Sequence, residues 1–195
     1  MMRRIPFWAY GFGVVFLAWG SLFYWAWRDR QNHPSAAAPV EISTTAINLP
    51  EGEMVDPVLA PEFKLADVST GKEFRLSEQR GKVVLLDFWA TWCGPCRRVI
   101  PSLVELQNSY GDKVQVIGVS VDRPDADVAG FCRDTNIAYL VGVDADREVA
   151  RLYGGISGIP TVVVISRSGK VLASYVGGFP KEHYDALIKM ALSKA

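Results

Sequence analysis

Histidine is nearly absent from this chain: among its residues only His33 and His183 occur. Cysteine is scarce too, with three in all, Cys93, Cys96 and Cys132. A structural zinc site wants four ligands, and the sequence offers neither a second CxxC nor an HxxxH pair to complete one. No metal and no cofactor is therefore expected. Three cysteines are also too few for a disulfide scaffold, which a chain of 195 residues does not need. Net charge is missing as well: Lys+Arg and Asp+Glu number 21 each. Nothing in that balance points to nucleic acid or another polyanion as partner, and basic pairs such as Arg97-Arg98 read as rim charges. There is no internal repeat.

Charge is absent from one long stretch in particular. Ile5 to Trp27 is a run of 23 uncharged residues, and about 20 suffice to cross the hydrocarbon layer as a helix. Trp8 and Tyr10 stand near one end, with Tyr24, Trp25 and Trp27 near the other, as suits two membrane interfaces. A cleaved signal peptide has a shorter apolar region, of roughly 7–15 residues. Ala36-Ala37-Ala38 is the one small-residue cleavage candidate, and it lies well past Arg28 and Arg30. The reading is an uncleaved anchor over residues 1–28. Arg3, Arg4 and the amino terminus favour an N-terminus inside, with the remainder facing an oxidising compartment.

Residues 29–56 read as a tether, rich in Pro, Ala and acid and without periodicity. A single domain follows over 57–195. "EFKLADVSTGKEFRL" predicts a hairpin turning at Thr70-Gly71-Lys72. "KVVLLDFWA" (82–90) and "KVQVIGVSVD" (113–122) predict buried strands, and "YLVGVD" (139–144) a shorter one. Helices are expected from Gly94 to about Ser109, kinked by Pro101, over 125–136 with Asp125 as cap, over 146–154, and over 181–194. "TVVVISRSGKVLASYVG" (161–177) predicts a hairpin with Ser168-Gly169 at its turn. Strands alternating with helices, then a hairpin and a last helix, give an α/β domain with a mixed sheet.

The chemistry concentrates in "TWCGPCRRVIP" (91–101). Cys93 falls where a buried strand turns into a helix, so backbone N–H groups favour its thiolate, the attacking species. CxxC in a βαβ setting reads as a redox pair. Cys96, one turn on and facing inward, is the expected resolving thiol. It must lose its proton in an apolar site, and Asp87, on the strand beneath, is the candidate base. Its neighbours Leu85, Leu86, Phe88 and Trp89 argue for burial, which raises a carboxyl pKa toward useful strength. In "GGISGIPTVVV", Pro160 opens a strand after a glycine-rich turn; the residues alone allow either a cis bond or an ordinary strand-start proline. Cys132, beside Phe131, reads as a small buried apolar residue.

These motifs resemble the thioredoxin superfamily. "LDFWATWCGPC", with Asp87, Trp92, Gly94 and Pro95, is similar to the active-site strand and loop, and Pro101 matches the kink of its helix. "GIPT" matches the loop whose cis-proline packs against the cysteines, so the resemblance implies a cis Pro160 and places Ile159 against a bound substrate chain. The apolar N-terminus and the lead-in hairpin are similar to the TlpA/ResA/CcmG-like branch of membrane-anchored oxidoreductases. The resemblance covers about 57–195. It implies a thioredoxin fold with an N-terminal hairpin extension, and a single-pass bacterial inner-membrane protein, monomeric, whose domain faces the periplasm or cell exterior. It implies exported disulfide substrates, apocytochrome c or oxidase copper-site cysteines among them, and electrons from a transmembrane thiol carrier of the DsbD or CcdA kind. Val99 stands where cytochrome-maturation members often carry Glu, and Asp87 where they often carry Asn. Both differences turn the site toward ordinary thioredoxin. A peroxidase loop of PxxxTxxC type is not matched, since Thr91 is two residues from Cys93. A non-catalytic binding module would typically lose a cysteine or the proline, and this chain keeps all three.

Overall fold

A computed structural model of the protein describes residues 58–193. The expected anchor (1–28) and tether (29–56) lie outside the described residues. Among the described residues no helix is long and apolar enough to cross a membrane.

The strands and helices run in the order β1 (Lys64–Ala66), β2 (Glu73–Arg75), β3 (Val83–Trp89), α1 (Gly94–Tyr110), β4 (Val114–Ser120), α2 (Val128–Asp134), β5 (Leu140–Val143), α3 (Glu148–Leu152), β6 (Thr161–Ile165), β7 (Val171–Val176) and α4 (Lys181–Ser193). β1 and β2 form the lead-in hairpin, turning at Gly71 with φ +69°. The other five strands make one sheet in the order β5-β4-β3-β6-β7. β3 pairs parallel with β4, and β4 parallel with β5, while β6 and β7 run antiparallel. This is the mixed sheet the alternation of elements predicts.

β3 is buried along its whole length, which is why it reads as a continuous apolar run rather than an alternating one. Its side chains still alternate between two faces. Phe88 meets Tyr153 of the α3 region, with ring centroids 5.7 Å apart. Trp89 points the other way and packs on Phe131 of α2 at 5.2 Å. Asp87, two residues before Trp89, shares the α2 face. The successive crossovers β3-α1-β4 and β4-α2-β5 step in one direction across the sheet, so right-handed connections place α1 and α2 on that same face. α4 joins them, its Asp185 accepting a 2.6 Å hydrogen bond from the Tyr110 hydroxyl at the end of α1. The β1–β2 hairpin sits on the opposite face, where Leu65 fills the space that a side chain at Gly142 would need.

Element ends differ from expectation where side chains intervene. α2 is capped by Asp127, whose carboxylate accepts the Gly130 N–H at 2.7 Å, and not by Asp125, which lies exposed beside Arg123. β4 stops at Ser120, and Asp122, two residues on, turns its carboxylate to the loop after β3. α3 spans only Glu148–Leu152; the Asp144 carboxylate holds its first turn through the N–H groups of Val149 and Ala150. His183 of α4 is half-buried and stacked on Phe179 at 4.6 Å. Pro101 lies inside α1 without ending it.

Candidate active site

The end of β3 delivers the chain into the loop Ala90–Trp92 and then into α1. Cys93 is the N-cap of that helix, and Pro95 occupies its first turn, where a missing N–H costs nothing. Cys93 and Cys96 form a disulfide with an S–S distance of 2.07 Å. The Cys96 N–H points at the Cys93 sulfur at 3.2 Å. That donor, with the positive end of a 17-residue helix behind it, favours negative charge on Cys93 when the bond is opened. Both cysteines are largely covered, Cys93 at 4% exposure and Cys96 at 1%. The asymmetry between them is therefore one of helix position more than of area. Gly94 is open to solvent, and a Cβ there would meet nothing within 4 Å.

Across from the pair lies the turn before β6. The Ile159–Pro160 bond is cis, as the resemblance implies. The Ile159 carbonyl oxygen stands 3.8 Å from the Cys93 sulfur. Trp92 projects into solvent at 66% exposure, and Val176 is exposed on the neighbouring strand. Val99 is buried in α1 under Gly178, whose Cβ position would fall 3.1 Å from it.

Beneath the helix, Asp87 is 1% exposed and neither carboxylate oxygen has a hydrogen-bond partner. Burial alone pushes its pKa up to about 7. A carboxyl there can bind and release a proton near neutral pH. Cys132, the remaining thiol, is buried, and burial pushes its pKa up to about 11. It lies outside this cluster in sequence and in helix, and is set to remain an unreactive thiol.

Three residues that fix the loop carry no motif of their own. The Thr91 N–H and hydroxyl both donate to Asp122, each at 2.8 Å. The Ser120 hydroxyl donates to the same carboxylate at 2.8 Å. Arg97 is more than a rim charge: its Nε and terminal nitrogen donate to the Thr91 carbonyl at 2.9 and 2.7 Å, and its guanidinium lies 5.3 Å from the Phe131 ring centroid. The one sequence signal was an acid closing a buried strand, at Asp122.

Comparison with known proteins agrees with this geometry. The Redoxin family profile matches residues 56–188. The thiol-disulfide oxidoreductase ResA of Bacillus thuringiensis is 34% identical over 131 residues, covering 67% of this chain and 75% of the relative. The thioredoxin-like protein YneN of Bacillus subtilis is 30% identical over 151 residues, covering 73% and 81%. A thiol:disulfide interchange protein of the thioredoxin family from Chlorobium tepidum superposes with a TM-score of 0.65 at 34% identity, over 72% of this chain and 99% of that one. A disulfide capping a helix at the end of a central strand, a cis-proline turn facing it and these likenesses lead to one assignment: the chain belongs to the thioredoxin superfamily, among its ResA/CcmG-like thiol-disulfide oxidoreductases.

Proposed function

We propose that the protein is a membrane-anchored reductase acting outside the cytoplasm on disulfides of exported proteins. The observation that carries the cycle is the buried, unpartnered Asp87 on the strand face that α1 covers. Cys93, as thiolate, attacks one sulfur of the substrate disulfide. The substrate S–S bond breaks, one sulfur leaves as a thiolate and picks up a proton, and a mixed disulfide forms. Asp87 takes the proton of the Cys96 thiol. The Cys96 thiolate attacks the Cys93 sulfur, the mixed disulfide breaks, and the second substrate sulfur departs. Two electrons have passed to the substrate, and Cys93 and Cys96 are left joined as a disulfide. A transmembrane thiol carrier of the DsbD or CcdA kind returns the two electrons.

The Ile159 carbonyl, beside the Cys93 sulfur, offers a backbone edge to an extended substrate chain, the exposed Trp92 and the cis Pro160 offer an apolar seat, and Gly94 and Pro95 shape the tip. The Gly-Pro pair supports the reducing direction, and the uncharged run from Ile5 to Trp27 supports the anchor and the outward-facing domain. Val99, apolar and buried, supports a general client range over one confined to apocytochrome c. The reduction potential tests the direction: a value near that of thioredoxin, about −270 mV, is expected, and one near the strong oxidant DsbA, about −120 mV, overturns it. Labelling of Cys93 in intact cells by a membrane-impermeant thiol reagent tests the location.

A further inference from the structure

Buried polar atoms in folded proteins are nearly always hydrogen-bonded. Among the described residues, four side chains break that rule: Asp87, Trp89, Tyr139 and His183. His183 stands apart in the aromatic stack of α4. The other three converge. Asp87 and Trp89 share one face of β3. Gly118 of β4 is the register partner of Asp87, and Val141 of β5 is the partner of Gly118. Tyr139, two residues before Val141, brings its ring to the same spot. A Cβ on Gly118 would stand 2.8 Å from Trp89 Nε1 and 3.3 Å from Tyr139 Cε2. Gly118 is thus the place where indole and phenol close over the row that begins at Asp87.

The three groups are chemically complementary. An indole N–H only donates, a carboxylate only accepts, and a phenol hydroxyl can do both. Two donors and one acceptor, all buried and unpaired, make a set that a single bridging water can satisfy, since such a water needs two to four polar partners. The electrostatics agree: burial first, and then the charge of Asp87, pushes the Tyr139 phenol well above its ordinary value. Among the described residues, no cationic side chain bears on Asp87. α1 contributes the Cys93–Cys96 pair, α4 contributes Tyr184, β6 contributes Val162, and Cys132 of α2 lies within electrostatic reach of Tyr139.

We propose that Tyr139, with the Trp89 indole, forms a water-bridged donor set for the Asp87 carboxylate around Gly118, and that Tyr139 is the positioning residue that sets when Asp87 accepts the Cys96 proton. This rests on the reading of Asp87 as the base. The Cys96 proton goes to Asp87, and the donor set holds the carboxylate form ready to receive it.

Tyr139→Phe in the full-length chain tests the proposal, with Asp87→Asn beside it. The readout is the rate at which a preformed mixed disulfide on Cys93 is resolved, followed from pH 5 to 9. Loss of the donor makes the carboxylate less favourable, so the rising limb moves to higher pH by about one unit, roughly tenfold in rate at the foot of the limb. The plateau at high pH is unchanged. A Tyr139→Phe limb that superimposes on the parent, while Asp87→Asn has lost the limb, overturns the role of Tyr139. A limb retained in Asp87→Asn overturns the base itself. NMR titration of the Asp87 carboxyl carbon in the oxidised Tyr139→Phe protein needs no turnover and decides the coupling in either case: an upward shift supports it, and an unmoved midpoint sinks it.

Discussion

Asp122, two residues past the end of β4, receives both the backbone N–H and the hydroxyl of Thr91, two residues ahead of Cys93. One carboxylate thus ties the loop after β3 to the neighbouring strand, while Arg97 grips the same residue by its carbonyl from the first turns of α1. Replacing Asp122 with Ala strands three donors in a buried place. The expected loss is on the order of 3 kcal/mol of stability, as for a charged acceptor removed from its donors. Urea unfolding of the oxidised protein measures it, with the m-value unchanged.

The two cysteines are expected to behave unequally once Cys96 is removed. Cys96→Ser keeps the attacker and loses the resolver, so mixed disulfides with substrate accumulate on Cys93 and persist. Cys93→Ser leaves Cys96 without the helix-start N–H that favours the Cys93 thiolate, and forms none at a comparable rate. Non-reducing gels after exposure to a disulfide peptide distinguish the two variants.

Stability of the oxidised protein is expected to fall as pH rises from about 4 to about 7. Asp87 holds its proton up to about 7 in the folded chain, against an ordinary value of 3.8. Between those values the folded state binds a proton that the unfolded state has lost. The favourable contribution is complete below 3.8 and is gone above about 7. Three units correspond to about 4 kcal/mol. Asp87→Asn removes this slope and is more stable than the parent at pH 8, though slower in exchange. Denaturant midpoints of both proteins across pH 4–8 check the sign.

Gly142→Ala is expected to loosen the lead-in hairpin. The added carbon would fall 2.5 Å from the Leu65 Cβ, too near to be relieved by a rotamer change alone. Overpacking of this kind costs typically 1–3 kcal/mol. Faster hydrogen exchange at Val68, whose N–H donates to the Val141 carbonyl, reports the hairpin lifting while β3 and β4 stay protected.

What could be read in advance followed from local chemistry. The apolar runs of β3 and β4, the turn glycines of both hairpins and the Cys-Gly-Pro-Cys stretch each act over a few neighbouring residues. The burial of Asp87 was legible for the same reason, since its flanking residues are all large and apolar. Tertiary partners were not. Nothing near Thr91 signals that Asp122 will hold it, because the pair is separated by all of α1 and β4. Arg97 looked like one of two adjacent surface cations, and only helix phase decides that it reaches back to the loop. Asp125 and Asp127 compete as caps on equal local terms, and the choice falls to whichever carboxylate reaches the Gly130 N–H. Tyr139 is one aromatic in a short strand lead-in until the parallel register brings it beside Gly118.

The first described residues are stitched to the β6–β7 turn: Val171 donates to the Val58 carbonyl and Ala60 to the Gly169 carbonyl, both at 2.9 Å. Because β6 runs antiparallel to β3, that turn lies beyond Val84, at the end of the sheet away from Cys93. Val58 and Cys93 therefore lie toward opposite ends of β3, a seven-residue strand with roughly 20 Å of backbone. A label placed at Val58 reports from the end of β3 away from Cys93 and leaves the disulfide untouched.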